Sequence, residues 1–283
     1  MKTRPFAQVD VFTDRPYTGN PVAVVLDAAG LTDAGMQSIA RWTNLSETTF
    51  VLPPDVPEAD YRLRIFTPRA ELPFAGHPTL GSAHALIGAG LARPRDGRLV
   101  QQCPAGLVPI ETDPADACLW LTLPPAKQTP LPAAAGADLA AALGLACDPG
   151  AAVIDVGAVW IVARVASGEA LLRSTPDLAR IATISRAFRA TGVTAFGPVD
   201  EGAARYEVRS FAPAVDVPED PVCGSGNGCV AAWLAGQGTR IDYTARQGRA
   251  IGRDGQVRVA YGEDGSIRIG GRAVACVRGT IDA

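Results

Sequence analysis

Two short segments of the chain place acid/base side chains beside the predicted start of a helix. In the first, His77 and Pro78 stand ahead of an uncharged run of small and apolar residues; in the second, Asp220 stands just before Cys223 and the glycine-rich run 224–226. A helix start presents backbone N–H groups that have no acceptor within the helix and that attract anions. The pattern predicts a site that holds an anionic small molecule near groups able to move a proton.

His77 and Asp220 are the candidate acid/base groups at these two helix starts. Histidine titrates close to neutral pH and suits this chemistry. A single histidine is also often structural, and an acid ahead of a helix often only caps it or braces a turn, so both interpretations stay open on spacing alone. The candidate substrate-binding residues are Gly76, Thr79, Cys223, Gly224, Ser225 and Gly226.

Glu47 is a third candidate because it lies at a helix-to-strand junction. The pattern predicts a helix over 33–43 and a strand over 47–52 that is rich in β-branched residues. A carboxyl group removed from water there would hold its proton more tightly, which suits proton transfer at neutral pH. The alternative is a solvated strand end, and the residues alone favour it.

An internal repeat organises these candidates. Residues 61–68, YRLRIFTP, are echoed by residues 206–213, YEVRSFAP, and each copy leads to a glycine and then a helix. The repeat predicts two related lobes, 1–126 and 127–283, with the last strand able to return to the first lobe. A small anionic substrate is expected in the cleft between the lobes.

The elements around the repeat predict an α+β fold. Strand patterns outnumber helical ones, so each lobe is expected to be a curled, mostly antiparallel sheet around one central helix. The stretch 123–132 is interpreted as a crossover between the lobes. Further helices are predicted over about 78–89, 138–145, 176–190 and 226–235.

Composition excludes several classes of protein. Hydrophobic residues make up 47% of the chain and charged residues 19%, which is enough for a buried core. The net charge of −3 includes no basic run, so nucleic acid is not an expected partner. No apolar run reaches membrane-spanning length and no signal region is visible, which predicts a cytoplasmic protein without a membrane partner. The six cysteines form no CxxC pair, which predicts reduced thiols. Both histidines lie in one short segment, so no metal site is predicted.

Four motifs in sequence order give the chain a family resemblance. Residues 12–24, 44–50, 76–81 and 219–225, followed by Gln247-Gly248 and Gly252-Arg253, resemble the phenazine-biosynthesis PhzF-like isomerase family. The resemblance implies the diaminopimelate-epimerase fold. It also implies a homodimer that shuttles protons without cofactor or metal, as on trans-2,3-dihydro-3-hydroxyanthranilate in that family.

The resemblance also implies roles for individual residues. Glu47 corresponds to the acid/base that takes and returns the proton, which reverses the interpretation from the residues alone. His77, Asp220 and Ser225 correspond to polar partners that orient the substrate and its carboxylate.

One departure from the family pattern keeps alternatives open. Cys223 stands where that family more often has threonine and where related epimerases have a catalytic cysteine. An amino- or imino-acid epimerase or dehydratase that uses Cys223 is therefore the second hypothesis, and a non-catalytic ligand-binding relative is the third. Ala75, at the matching place in the first copy, argues against a mechanism with two facing thiols.

Overall fold

The chain divides into two compact units. The structure is a computed structural model that describes residues 2–199 and 202–283. The first unit is Met1–Leu121 together with Gly270–Ala283, and the second is Thr122–Ile269. Within the described residues, no helix has both the length and the apolar character needed to cross a membrane.

The described part of the first unit contains two helices, the strands that begin before residue 122, and the last strand of the chain. Its helices are α1 (Asp33–Thr43) and α2 (Gly76–Gly88). Its strands are β1 (Thr3–Val11), β2 (Asn20–Val25), β3 (Thr48–Leu52), β4 (Tyr61–Phe66), β5 (Glu71–Leu72), β6 (Arg98–Cys103), β7 (Gly106–Asp113), β8 (Cys118–Thr122) and, from the end of the chain, β18 (Ala273–Asp282).

The second unit repeats this order with more helix. Its helices are α3 (Ala133–Leu143), α4 (Gly168–Arg173), α5 (Leu178–Ala187) and α6 (Gly224–Gly236). Its strands are β9 (Lys127–Pro130), β10 (Ala152–Asp155), β11 (Val159–Arg164), β12 (Gly192–Pro198), β13 (Tyr206–Ala212), β14 (Val217–Asp220), β15 (Tyr243–Gln247), β16 (Gly255–Tyr261) and β17 (Ile267–Gly271).

Strand pairing is the same in both units. In the first, β1–β2 is antiparallel, β2–β3 parallel, β3–β4 antiparallel, β4–β6 parallel and β6–β7 antiparallel. In the second, β10–β11, β11–β12, β12–β13, β13–β15 and β15–β16 follow the same sequence of directions. The predicted α+β fold, with a similar and mostly antiparallel arrangement of strands in each unit, is therefore confirmed.

Each sheet packs against one buried helix. Helix α2 contacts β1, β2, β3 and β18, and α6 contacts β10, β11, β12 and β16. Neither helix carries a charged residue in its first or last turn. A helix without a polar face is stable only when surrounded by protein, which is why these two helices occupy the centres of their units.

Several predicted element boundaries were wrong. Helix α2 begins at Gly76 rather than near 78, so His77 and Pro78 lie in its first turn, where a proline costs no hydrogen bond. Helix α6 likewise begins at Gly224 rather than 226. The helix predicted near 138 begins at Ala133, the one predicted over 176–190 is the shorter α5, and α4 was not predicted. The predicted crossover contains β9, which pairs with β10.

The repeat extends to a pair of ionic contacts. Arg64 binds Glu71 through two hydrogen bonds of 2.7 Å, and Arg209 binds Glu219 through two of 2.8 and 2.9 Å. Each guanidinium also lies about 5 Å from the ring centroid of the phenylalanine two residues later. The second pair is more deeply buried, with both side chains at most 10% exposed.

Glu219→Gln should destabilise the protein more than Glu71→Gln does. Loss of Glu219 leaves Arg209 buried without its carboxylate, which should lower the free energy of unfolding by about 3 kcal/mol. Glu71 is more exposed and Arg64 keeps a second acid, Asp33, so its loss should cost about 1 kcal/mol. Urea unfolding of the two variants beside the wild type measures both values. Equal losses would contradict the difference in burial.

Candidate active site

Glu47 is held in place by the elements on either side of it. Asn44, the residue that caps the C-terminus of α1, adopts the left-handed conformation and donates its N–H to the carbonyl of Ala40. The hydroxyls of Thr43 and Thr48 lie 2.6 Å apart and bridge the end of the helix to the start of β3. Glu47 immediately precedes β3, and its side chain is only 15% exposed. It is therefore not the solvated strand end that the residues alone favoured.

His77 lies in the first turn of α2 with its ring buried. Burial lowers the pKa of His77 to about 3, although a hydrogen bond to the Pro21 carbonyl acts in the opposite direction. Its Nε2 makes no hydrogen bond within residues 2–199 and 202–283, so the bond to Pro21 comes from Nδ1. The imidazole is therefore neutral at pH 7, with its proton on Nδ1 and a lone pair on Nε2.

Glu47 and His77 face each other. The carboxylate Oε2 of Glu47 lies 3.4 Å from Nε2 of His77, and both side chains are largely excluded from solvent. A proton taken up by the carboxylate would thus meet the lone pair of a neutral imidazole rather than bulk water. This pair can accept a proton from a carbon acid and keep it for return.

The second helix start gathers Asp220, Cys223 and Ser225. Asp220 ends β14, and its Oδ1 accepts the N–H of Val222 at 3.1 Å. Burial raises the pKa of Asp220 to about 6, partly offset by hydrogen bonds from the Cys223 thiol and from Val222. The Cys223 Sγ accepts the N–H of Gly226 at 3.2 Å and caps α6. Burial raises the pKa of Cys223 well above its usual value, so its thiol is protonated at neutral pH.

The candidate binding residues differ in what they can offer a ligand. Gly76, Gly224 and Ser225 are half-buried, and their N–H groups fall in helix first turns without an intrahelical acceptor. Thr79 is fully buried; its N–H bonds Ala75 and its hydroxyl accepts from Gln101. The N–H of Gly226 is already bonded to Cys223, whose own side chain is buried. Binding by all six candidates stays a prediction.

The acid at position 47 has no counterpart in the second unit. Thr49 pairs with Ile65, and its equivalent Thr194 pairs with Ser210, so two residues earlier Glu47 corresponds to Gly192. A Cβ on Gly192 would overlap the carbonyl oxygen of Phe211 and lie 2.8 Å from the ring of Trp160. The second unit therefore lacks both the carboxylate and the room for one at this position.

Sequence reasoning missed the roles of three residues near the two helix starts. The Pro21 carbonyl fixes the His77 tautomer, the Trp160 Nε1–H donates to Ser225 Oγ at 2.9 Å, and Gln247 binds the turn after Asp220. No local pattern marks a backbone carbonyl or a buried indole as a partner of a distant side chain. In the described part of the chain, no group of three or more His, Cys, Asp and Glu side chains is arranged to hold a metal ion.

Comparison with known proteins gives one consistent answer. The sequence pattern of the family described as phenazine biosynthesis-like protein, PhzC-PhzF, matches residues 9–279. A Schizosaccharomyces pombe protein, Antisense-enhancing sequence 1, is 41% identical over 83% of this chain and 81% of its own length. Trans-2,3-dihydro-3-hydroxyanthranilate isomerase of Pseudomonas aeruginosa is 36% identical over 81% of this chain and 79% of its own length.

A solved structure agrees over the full length. The crystal structure of a Bacillus anthracis phenazine biosynthesis protein of the PhzF family superposes with a TM-score of 0.89 and covers all of both chains at 26% identity.

His77 should remain neutral far below the usual histidine range. In 15N NMR spectra, its ring should show the Nδ1–H tautomer from pH 8 to 5 and protonate only near pH 3. The unfolded chain takes up this proton near pH 6.5, so the stability contributed by neutral His77 is lost as pH falls from 6.5 towards 3. His84→Gln assigns the spectrum, because only two histidines are present. Titration of His77 near pH 6.5 would contradict this geometry.

Proposed function

Because this chain belongs to the phenazine biosynthesis-like protein family, we propose that it is an isomerase that moves a proton within a small anionic substrate. The observation that carries the proposal is the buried pair of Glu47 and His77, whose facing atoms lie 3.4 Å apart. Both side chains are largely excluded from solvent, and a buried carboxyl group that faces a buried imidazole has the features of an acid/base centre.

Proton transfer begins at Glu47. Its carboxylate takes a proton from a substrate carbon, and the electron pair of the broken C–H bond spreads into the adjoining unsaturated system. The neutral Nε2 of His77 steadies the proton on the carboxyl group. Glu47 then returns that proton to a different carbon, which gives the isomer without any net loss of atoms or electrons.

The second helix start supplies binding groups in this proposal. The half-buried N–H groups of Gly224 and Ser225 can receive a substrate carboxylate. Ser225 Oγ accepts a bond from the Trp160 indole and lies 3.6 Å from Cys223 Sγ, a weak acceptor that a substrate oxygen can replace as the partner of the Ser225 O–H. Asp220, with a pKa near 6, can exchange a hydrogen bond with a hydroxyl or amino group of the substrate.

Trans-2,3-dihydro-3-hydroxyanthranilate is the first substrate to test, because the name of the Pseudomonas aeruginosa relative specifies it. Its carboxylate matches the helix start, and its unsaturated ring can delocalise the electron pair. A homodimer and catalysis without a cofactor stay predictions from the resemblance, and a cytoplasmic location stays a prediction from the sequence pattern.

Glu47→Gln should abolish isomerisation while leaving the fold intact. With trans-2,3-dihydro-3-hydroxyanthranilate in D2O, followed by absorbance and NMR, kcat should fall by about 10²–10⁴-fold. A single buried base should also return part of the original proton, so the wild-type product should carry less than one solvent deuterium per turnover. Glu58→Gln, at an exposed glutamate, is the matched control and should keep wild-type kcat.

Three results would redirect the proposal. Retained activity in Glu47→Gln would remove Glu47 from its assigned role. Wild-type turnover only of other amino or hydroxy acids would change the substrate. Binding of the compound without any deuterium exchange would identify a ligand-binding relative instead of an isomerase.

The hypothesis of a cysteine-dependent epimerase predicts a different outcome at Cys223. The thiol is buried, protonated and already used to cap α6, so it is poorly suited to act as a base. Cys223→Ser should therefore keep kcat within about tenfold of wild type, since serine also caps helices well. A loss of about 10³-fold or more at unchanged melting temperature would instead support a catalytic thiol.

A further inference from the structure

Gln247, the last residue of β15, lies directly behind the turn that carries Asp220. Its side chain is completely buried. The amide Oε1 accepts the backbone N–H of Cys223 at 3.1 Å and the side-chain Nδ2–H of Asn227 at 2.8 Å. The amide Nε2 donates to the backbone carbonyl of Asp220 at 3.0 Å. One side chain thus joins the end of β14, the cap of α6 and the second turn of that helix.

Only a neutral amide satisfies all of these partners. Asp220 presents a carbonyl acceptor, whereas Cys223 and Asn227 present donors, and a primary amide carries both functions. The backbone next to Gln247 leaves little freedom: Gly248 has φ of 98°, and a Cβ there would lie 2.6 Å from the Pro221 carbonyl oxygen. The strand end and the turn therefore hold each other at a fixed separation.

We infer that Gln247 is a positioning residue that sets the distance between the Asp220 carboxyl group and the start of α6. The catalytic part of this inference rests on the proposed function. Asp220 and Cys223 are linked only by a short turn. A shift of that turn therefore changes the distances from the Asp220 carboxyl group to the Cys223 thiol and to the N–H groups at the start of α6. Gln247 contacts none of the groups assigned to the substrate through its own polar atoms, and it acts through the turn.

The first unit shows how specific this arrangement is. A buried glutamine, Gln101, lies on β6, the strand that corresponds to β15, but it binds the side chains of Thr79 and Tyr61. Gln247 instead binds backbone groups on both sides of the turn. Hydrogen bonding of a buried glutamine to both sides of the turn is thus a feature of the unit that carries Asp220.

The ionisation of Asp220 reports the position of the turn without any substrate. Its carboxyl group accepts from the Cys223 thiol and the Val222 N–H, and it senses the negative charge of Glu219, which is paired with Arg209. Displacement of Cys223 removes a hydrogen bond that favours the ionised carboxylate. The pKa of Asp220 should then rise above about 6.

The experiment compares Gln247→Met and Gln247→Glu with the wild type. Methionine matches the length of glutamine but offers neither the donor nor the carbonyl acceptor, so the 13C NMR titration midpoint of Asp220, assigned with Asp220→Asn, should move upward. With active wild-type enzyme, kcat/KM should fall by about 10–100-fold.

In Gln247→Glu, the introduced carboxyl group can donate to the Asp220 carbonyl only when protonated. The ratio of its kcat/KM to that of wild type should therefore rise as pH falls from 8 to 6.

Ile181→Ala is the control for lost stability, because this residue lies on α5 in the apolar core of the same unit. It should lower the melting temperature but leave the Asp220 midpoint in place and kcat/KM within about twofold. The inference is overturned if Gln247→Met moves the Asp220 midpoint no more than Ile181→Ala does. An upward midpoint in a protein whose wild type lacks turnover supports the positioning role and refutes the proposed function alone.

Discussion

The close approach of each central helix to the strands behind it is the constraint on which this structure depends. A Cβ on Gly81 would overlap the Val22 side chain, and one on Gly228 would lie 2.6 Å from Leu123. Glycine at these positions lets an uncharged helix sit against its sheet, where dense packing stabilises it. The same packing fixes where each helix begins. It thereby fixes which backbone N–H groups are available at the two candidate binding positions.

The two units share a scaffold but differ in the side chains that could do chemistry. Both carry an arginine–glutamate pair at the same place, Arg64–Glu71 and Arg209–Glu219. At the positions of the site they diverge: Glu47 faces His77 in one unit, and in the other the space at Gly192 is closed by Trp160. Among the described residues, a carboxylate at this position therefore occurs in the first unit alone. In the proposed mechanism, a single acid/base favours the return of a proton to the substrate from which it came, whereas racemisation by two opposed bases would need a second group.

The sequence predicted the fold better than it predicted the relations between side chains. The repeat at 61–68 and 206–213 was sufficient for two similar sheets with central helices, because strand alternation and the uncharged helices are local patterns. Helix starts were placed two residues late, since Pro78 and the glycines after Cys223 look like breakers but lie in first turns. The role of Gln247 could not be predicted, because it depends on strand register between segments more than twenty residues apart.

Burial favours the neutral form of both His77 and Asp220, with opposite consequences for stability at pH 7. For His77, burial disfavours the charged imidazolium. Because the ring is neutral at pH 7, its burial costs the fold little stability at that pH. For Asp220, the pKa rises from 3.8 to about 6, so its stability contribution is greatest below pH 3.8 and is lost as pH rises through 6. At neutral pH the ionised carboxylate then destabilises the fold by about 3 kcal/mol. An asparagine or serine could brace the same turn without this cost, so the turn alone does not account for an acid at position 220.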